Sequence, residues 1–323
     1  MFPKEAEAVI IGGGVIGSST AYYLAREGID VVLVEKGYKA GEASAANAAF
    51  VWSITRKPGI DIRLAMHSFK LHRQLQRELE MNFEYVHNGG LLVIQNDREM
   101  SYVEAHVRKR TEDGFPLEII DAKQALELEP LLSKEKTIAA VFSPIDGTTN
   151  PIFLGAALNL QAQKLGAKIY HHTEVLGIDV AGGKVRGVTT NKGTINTNII
   201  VNAAGCWGNS IGEMVGLDVP ITPFQLAMLV TEPLPPCVSH PIMGASYMVE
   251  EDTGKEGKLG CGLIVSQQAS GNLLIGASWR DAGYDKRIGL GPGSGKLIQE
   301  LICEGKTAIS LDELNLSRFY SKR

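Results

Sequence analysis

Three observations in the sequence predict an α/β fold organised on a parallel sheet, with a second unit of a different kind attached. Residues 8–11 and 29–34 are short, largely apolar runs without strict alternation, the composition of strands buried on both faces. Between them Gly12, Gly14 and Gly17 follow the spacing G-x-G-x-x-G and lead into a helix. Residues 198–203, NIIVNA, form a third buried-strand run that again ends in small residues, Ala204 and Gly205. Beyond Gly216 the runs QLAMLVTE, SYMVE, GLIVSQ and LLIGASW, joined by Pro-rich connections, predict a mostly antiparallel sheet and an α+β character for the rest.

In the opening unit Gly12 permits a tight turn, Gly14 lets the backbone approach a pyrophosphate, and Gly17 lets the helix close on the strand. The helix then aims its free N–H groups and positive end at that pyrophosphate. Ser18, Ser19, Thr20 and Ala21 keep the helix near the sheet, and Gly28 stops it. Glu35 closes the second strand, where its carboxylate can accept hydrogen bonds from the ribose hydroxyls of an adenine nucleotide. Strand, glycine turn, helix, strand and acid in this order predict dinucleotide binding. The acid leaves FAD and NAD open and argues against NADP, whose extra phosphate it repels.

At 323 residues the chain is long enough for about two domains. It is 44% hydrophobic and 21% charged with a net charge of -4, so it offers no basic surface for nucleic acid. The first strand begins within ten residues of Met1, and no apolar run reaches the length of a membrane span, so a cytoplasmic protein is expected. Cys206, Cys237, Cys261 and Cys303 are widely separated and read as incidental thiols in a reducing compartment.

Residues 37–53 are mostly small and poor in large hydrophobes, suiting a loop and short helix laid against something flat, the cofactor being the favoured contact. Asp61 reads as the N-cap of a long amphipathic helix that carries His67 and His72. Those histidines are five apart rather than the four a helical metal pair needs, so they are read as structural or exposed. GLLVIQ from Gly90, a charged helix over 100–111 and IAAVFS from Ile138 belong to a different unit from the opening fold. Asp146-Gly147 makes a turn, Asn150-Pro151 opens a helix and Gly166 stops it. A run of strands with tight turns follows over 168–197. The adjacent His171 and His172 point to opposite faces and are set aside as ligands. A glycine loop and a helix starting near Ser294 close the chain.

With these motifs in hand the chain resembles the FAD-dependent amino-acid oxidoreductases, the family of D-amino acid oxidase, glycine oxidase and sarcosine oxidase. The resemblance rests on GGGVIG with Glu35, ASAANAA, GTTNP, EVLGIDV, NAAGCW, ASGNLLIGASW and GLGPGSGKLIQELI, and it covers nearly the whole length. It implies a Rossmann-like FAD-binding domain, a parallel sheet with a β-meander, formed by 1–80, 147–216 and 287–323. The substrate domain, α+β with a mostly antiparallel sheet, then comprises 81–146 and 217–286. FAD contacts implied by the resemblance fall on Gly12, Gly14, Val15, Ile16, Gly17, Glu35, Lys36, Ser44 and Asn47. Further contacts fall on Val175, Ala204, Gly205, Trp207, Ile288, Gly289 and Leu290, and Tyr247 matches the substrate-domain tyrosine. No metal is implied.

One departure stands out. The family places a helix, further strands and an Arg-Pro segment, whose arginine binds the substrate carboxylate, between strands like LLIGASW and the last glycine loop. Here Tyr284-Asp285-Lys286-Arg287 runs directly into Ile288-Gly289, which implies an internal deletion after Lys286 and an exposed sheet edge or gap. Arg280, Lys286 and Arg287 flank the junction as substitute cations.

The expected activity is oxidation of the C–N bond of a small amino acid or secondary amine, of glycine, sarcosine, D-amino acid, D-proline or opine type, by hydride transfer to flavin. Oxygen or a partner protein is the electron acceptor, and a homo- or hetero-oligomer is compatible with the chain. The alternative is an FAD-binding protein or subunit with little or no turnover. An NAD-linked dehydrogenase ranks last, because it leaves NAAGCW and the closing glycine loop unexplained.

Overall fold

The computed structural model describes residues 2–37, 43–112, 115, 117–221, 224–253, 260–281 and 291–311. The chain opens with β1 (Ala8–Ile11), α1 (Val15–Arg26), β2 (Val31–Val34), the two-residue β3 (Phe50–Val51) and α2 (Ile60–Glu78). It continues through β4 (Gly90–Ile94), α3 (Asp97–Glu112), β5 (Glu118–Asp121), α4 (Ala122–Leu128), β6 (Ala139–Ser143) and β7 (Gly147–Thr148). Next come α5 (Pro151–Lys164), β8 (Lys168–Tyr170), β9 (Val175–Ala181), β10 (Lys184–Thr190), β11 (Gly193–Asn196) and β12 (Ile199–Asn202). The remaining elements are α6 (Gly208–Glu213), β13 (Phe224–Val230), β14 (Ile242–Gly244), α7 (Ala245–Thr253), β15 (Gly260–Gln267), β16 (Leu273–Asp281) and α8 (Gly291–Glu304).

Two sheets carry the architecture. The first, in the order β12-β1-β2-β8, is parallel throughout, with Ala8 opposite Ile199 on one side and Val31 on the other. Every residue of β1 and β2 is buried, as runs without alternation require, whereas β12 at the edge buries only Val201 fully. The second sheet has seven strands in the order β13-β16-β15-β14-β4-β6-β5, antiparallel except for the pair β14 and β4. A meander, β11-β10-β9, and the short pair β3 and β7 complete the strands among the described residues. At the edge of the large sheet β13 leaves Leu229 and Val230 71% and 65% exposed.

Helix α1 is the hub of the first layer, packed against α5 and α8. Its small residues make this close approach feasible: a Cβ on Gly295 of α8 would collide with Ser19 of α1. Asn150 caps α5, accepting from the Ile152 and Phe153 N–H groups, and Gly166 beyond its end takes a φ of 103°. Among the described residues no helix is long and apolar enough to cross a membrane.

Several sequence expectations are corrected. SYMVE is not a strand: it lies in α7, because Ala245, Met248 and Val249 recur at helical spacing and all three are buried. Asp61 is not the N-cap of α2; Gly59 is, and Asp61 sits in the first turn, accepting from the Lys57 N–H at 2.9 Å. The closing helix starts at Gly291, three residues before Ser294. Residues 50–51, expected in a loop or short helix, form β3, since Phe50 and Val51 pair with Thr148 and Gly147. The first of the strands after α5 joins the parallel sheet beside β2 rather than the meander.

Candidate functional site: a glycine-walled nucleotide cleft and a buried polar junction

Three glycines let two strand ends and a helix start converge. Gly12 leaves β1 with a φ of 110°, and a Cβ on it would collide with the Ala203 carbonyl at the end of β12. Gly14 is the N-cap of α1 and has no side-chain cap of its own. Gly17, in the first turn of α1, stands so close to the Gly12 carbonyl that any side chain would overlap it. The glycine turn is therefore closed by backbone at Gly12 and Gly17, while Gly12 and Gly14 also face a cavity.

Glu35 lies just past β2, half-buried. Its Oε2 accepts from the Gly13 N–H and its Oε1 from the Gly37 N–H, both at 2.6 Å. The carboxylate is thus held against the glycine turn. Lys36, beside it, places Nζ 3.1 Å from the ring centroid of Trp207, a cation–π contact. Trp207 follows Ala204 and Gly205 in the short 3₁₀ turn after β12. Gly205 has a φ of 49° and nothing within 4 Å of the place a Cβ would take, so this second turn also has an open face.

These walls enclose a cavity of about 760 Å³, within the range expected for a small-molecule or cofactor site. Gly12, Gly14, Val15 and Ile16 line it from the first turn, and Glu35 and Lys36 line it from the end of β2. Ser44, Val175, Ala204, Gly205 and Trp207 form the remaining sequence-predicted wall. Thr173, Glu174 and Cys206 also line it, although the sequence singled out none of them as a contact. Gly17 acts one step back, through the close packing just described. Asn47 is also one step back: its Nδ2 donates to the Ser44 carbonyl at 2.8 Å and its Oδ1 accepts from the Ala49 N–H at 2.8 Å. Ser44 Oγ accepts from the Val15 N–H at 3.0 Å, so this loop is tied to the first turn of α1.

A dinucleotide fits this arrangement on the structure's own terms. Open glycine faces, a helix start and an acid positioned by backbone donors converge on one cavity at the carboxyl ends of parallel strands. Ile288, Gly289, Leu290, Lys286 and Arg287 lie outside the described residues, as does the side chain of Arg280. Tyr247 is described and half-buried on α7, against Gly262 of β15 and a core cluster that includes Phe50 and Trp52.

From Ser44 the chain runs on to a feature that sequence reading missed. Ala49 adopts a φ of 61° without being glycine, a conformation that costs about 1 to 2 kcal/mol. Its carbonyl accepts from the Thr149 N–H at 2.9 Å, and the Ala48 carbonyl accepts from Ser266 Oγ of β15 at 3.1 Å. Four residues later the fully buried carboxylate of Asp146 accepts from the Ser53 N–H at 2.8 Å, from Ser53 Oγ, and from Ser143 Oγ at 2.9 Å. Burial pushes the Asp146 carboxyl up to about 6, and the bonds from Ser53 and Ser143 hold it from rising further. From the other side Arg110 Nη2 of α3, also fully buried, donates to the Ser53 carbonyl at 3.3 Å, and His106 Nε2 to the Ile54 carbonyl at 2.7 Å.

The sequence marks Asp146 only as a turn residue, and Arg110 only as part of a charged helix over 100–111. The spacing of Val103, Val107 and Arg110, all on the buried face of α3, is the signal that could have found the arginine. His72 is fully buried on α2 with Nδ1 donating to the Ser68 carbonyl at 2.8 Å, and burial lowers it to about 4. It is a structural residue, in line with the sequence reading.

Comparison with known proteins points the same way. The FAD dependent oxidoreductase family profile matches residues 7–304. The mitochondrial pyruvate dehydrogenase phosphatase regulatory subunit of Mus musculus is 34% identical over 235 residues, 72% of this chain and 26% of that protein. Mitochondrial dimethylglycine dehydrogenase of Rattus norvegicus is 30% identical over 308 residues, 92% of this chain and 34% of that protein. The chain therefore spans about a quarter to a third of the length of these curated relatives. Among solved structures, L-proline dehydrogenase from P. horikoshii superposes over 100% of both chains with a TM-score of 0.86 at 22% identity, a likeness of fold.

Proposed function

The chain belongs to the FAD dependent oxidoreductase family, and on that premise we propose that it oxidises the C–N bond of a small amino acid or secondary amine. One observation carries the cofactor half of this reading: the two glycine turns after β1 and β12, and the acid after β2, face a single cavity. FAD is the family's cofactor. Gly12, Gly14, Val15 and Ile16 would take its pyrophosphate, with Gly17 supporting the turn by close packing, and Glu35 its ribose. Lys36, Ser44, Val175, Ala204, Gly205 and Trp207 would complete the contacts, with Asn47 holding the Ser44 loop and Ile288, Gly289 and Leu290 joining them from the last glycine loop.

The flavin supplies the acceptor for a hydride leaving the carbon beside the amine nitrogen, which becomes an imine that water hydrolyses or that stays cyclic. The polypeptide contributes orientation and charge. Tyr247 is proposed to hydrogen-bond the substrate; it is half-buried on α7, against Gly262 of β15.

The proposed domains are 1–80, 147–216 and 287–323 for FAD, and 81–146 and 217–286 for substrate. In support, all four strands of the parallel sheet fall in the first set of segments, and all seven of the large sheet in the second. We place the protein in the cytoplasm, with oxygen or a partner protein as electron acceptor.

A second reading, an FAD-binding subunit with little or no turnover, is favoured by the junction after Lys286 and by the likeness to a protein named as a regulatory subunit. Anaerobic addition of glycine, sarcosine, D-alanine and D-proline to the FAD-loaded protein separates the two. Bleaching of the flavin by any of them supports the enzyme. A flavin that stays oxidised with all of them, as well as with dimethylglycine and L-proline, supports the second reading.

A further inference from the structure

We propose that Asp146 is a positioning residue for the cofactor: its buried carboxylate fixes the Ser53 end of the run 43–54, and through that run it holds Ser44 on the first turn of α1. The inference deepens the proposed function and rests on its reading that FAD occupies the cleft beside Ser44.

The run 43–54 is a strap between the nucleotide cleft and the large sheet. At its cleft end Ser44 Oγ accepts from the Val15 N–H, at the helix start that faces the cavity. Its middle is packed into the core and paired with β7 only briefly. Ala49 sits in the left-handed region, and β3 is only two residues long. Asn47, Thr149 and Ser266 each supply one hydrogen bond or two there, all to backbone. A strained conformation persists only where its surroundings over-determine it, so the far end has to be anchored.

That anchor is Ser53. Its N–H and hydroxyl both donate to Asp146, while its carbonyl accepts from Arg110. One residue thus bridges a buried anion and a buried cation, and neither charge reaches solvent. Asp146 itself has no room to move. Its carbonyl accepts from the Gly89 N–H at 2.9 Å, and the following Gly147 is pressed against the Val86 carbonyl. A buried charge retained for shape rather than for stability is the role that fits this geometry. Among the described residues, further ionisable groups nearby include the Tyr85 hydroxyl and His87, from the segment before β4, and His106 of α3, which grips the Ile54 carbonyl.

The test is FAD affinity, read by quenching of flavin fluorescence on the full chain, alongside thermal unfolding without FAD and, in a Trp207→Phe, Trp279→Phe background without FAD, the emission of Trp52, next to the anchor. Asp146→Ala should weaken FAD binding about tenfold or more, and Asp146→Asn, which keeps an acceptor for the Ser53 N–H, should recover part of it. Ser53→Ala is a milder variant for the case that Asp146→Ala does not fold; it should weaken FAD binding about threefold. In each variant that folds, the Trp52 emission should shift.

Variants that melt earlier yet bind FAD as the wild type does would overturn the proposal and leave Asp146 a purely structural residue. Unchanged FAD affinity in Ser53→Ala together with Asp146→Asn would do the same. A wild-type protein that takes up no FAD would instead overturn the reading on which the proposal rests.

Discussion

The glycine turn and the Ser53 junction sit at the two ends of one strap, yet they are built from opposite materials. At the turn the closest contacts are backbone on backbone: Gly17 on the Gly12 carbonyl, and Gly12 on the Ala203 carbonyl. At the junction the contacts are buried side chains brought from distant parts of the chain, Asp146 to Ser53 across 93 residues and Arg110 to Ser53 across 57. A turn closed by backbone tolerates no added atom. A junction closed by charges tolerates atoms but responds to protonation. The difference predicts how each end fails.

The largest effect is expected at the turn. Gly17→Ala and Gly12→Ala place a methyl where only a carbonyl fits, with no flexible side chain able to yield, and should cost about 3 kcal/mol or more. Thermal unfolding without FAD, and FAD uptake, should both suffer. A Gly17→Ala protein that melts and binds like the wild type would erase the contrast between the two ends.

The junction should show itself next, through pH. Asp146 ionises at about 6 in the fold, above its ordinary value of 3.8. Its contribution to stability is therefore fully present below the ordinary value and lost as pH rises through 6, a span of up to about 3 kcal/mol. His72 runs the other way: lowered to about 4, it contributes stability above its ordinary value that is lost as pH falls. Between pH 4 and 6 the two slopes oppose each other in the wild type. Asp146→Asn removes one of them, so denaturant unfolding of the variant should show stability falling more steeply with acid than in the parent. Parallel pH curves would mean that Asp146 does not titrate in this range.

Glu35→Ala should cost about 1.5 to 3 kcal/mol of FAD binding, one to two decades in affinity, because a charged acceptor is lost. The bonds from Gly13 and Gly37 go with it, so the glycine turn itself is loosened. The smallest effect belongs away from both ends. Asn150→Ala removes the cap of α5 and should lower stability by about 1 kcal/mol, while FAD affinity stays as it was. A change in FAD affinity there would show that the strap is less local than described.

The contrast also explains what could be read from sequence. Gly12, Gly14, Gly17 and Glu35 were legible because their roles follow from local spacing, and NIIVNA because a strand buried on both faces has a composition of its own. The parallel alignment of residues 8–11 with 199–202 follows from the two turns having to face one ligand. SYMVE was misread because its short apolar run, Tyr247 to Val249, fits a strand or a buried helix equally, and only the burial of Ala245, Met248 and Val249 on one face decides. Asp146 was invisible for a different reason. Asp-Gly signals a turn in any context, and nothing local says that the turn is buried or that Ser53 lies opposite it.

The most direct test of the account is a titration of the purified protein with FAD and, separately, with NAD, followed by flavin fluorescence and absorbance. The account predicts a yellow complex with one FAD per chain, which NAD does not displace and Glu35→Ala weakens. A protein that stays colourless with FAD, or that takes NAD in its place, would contradict it.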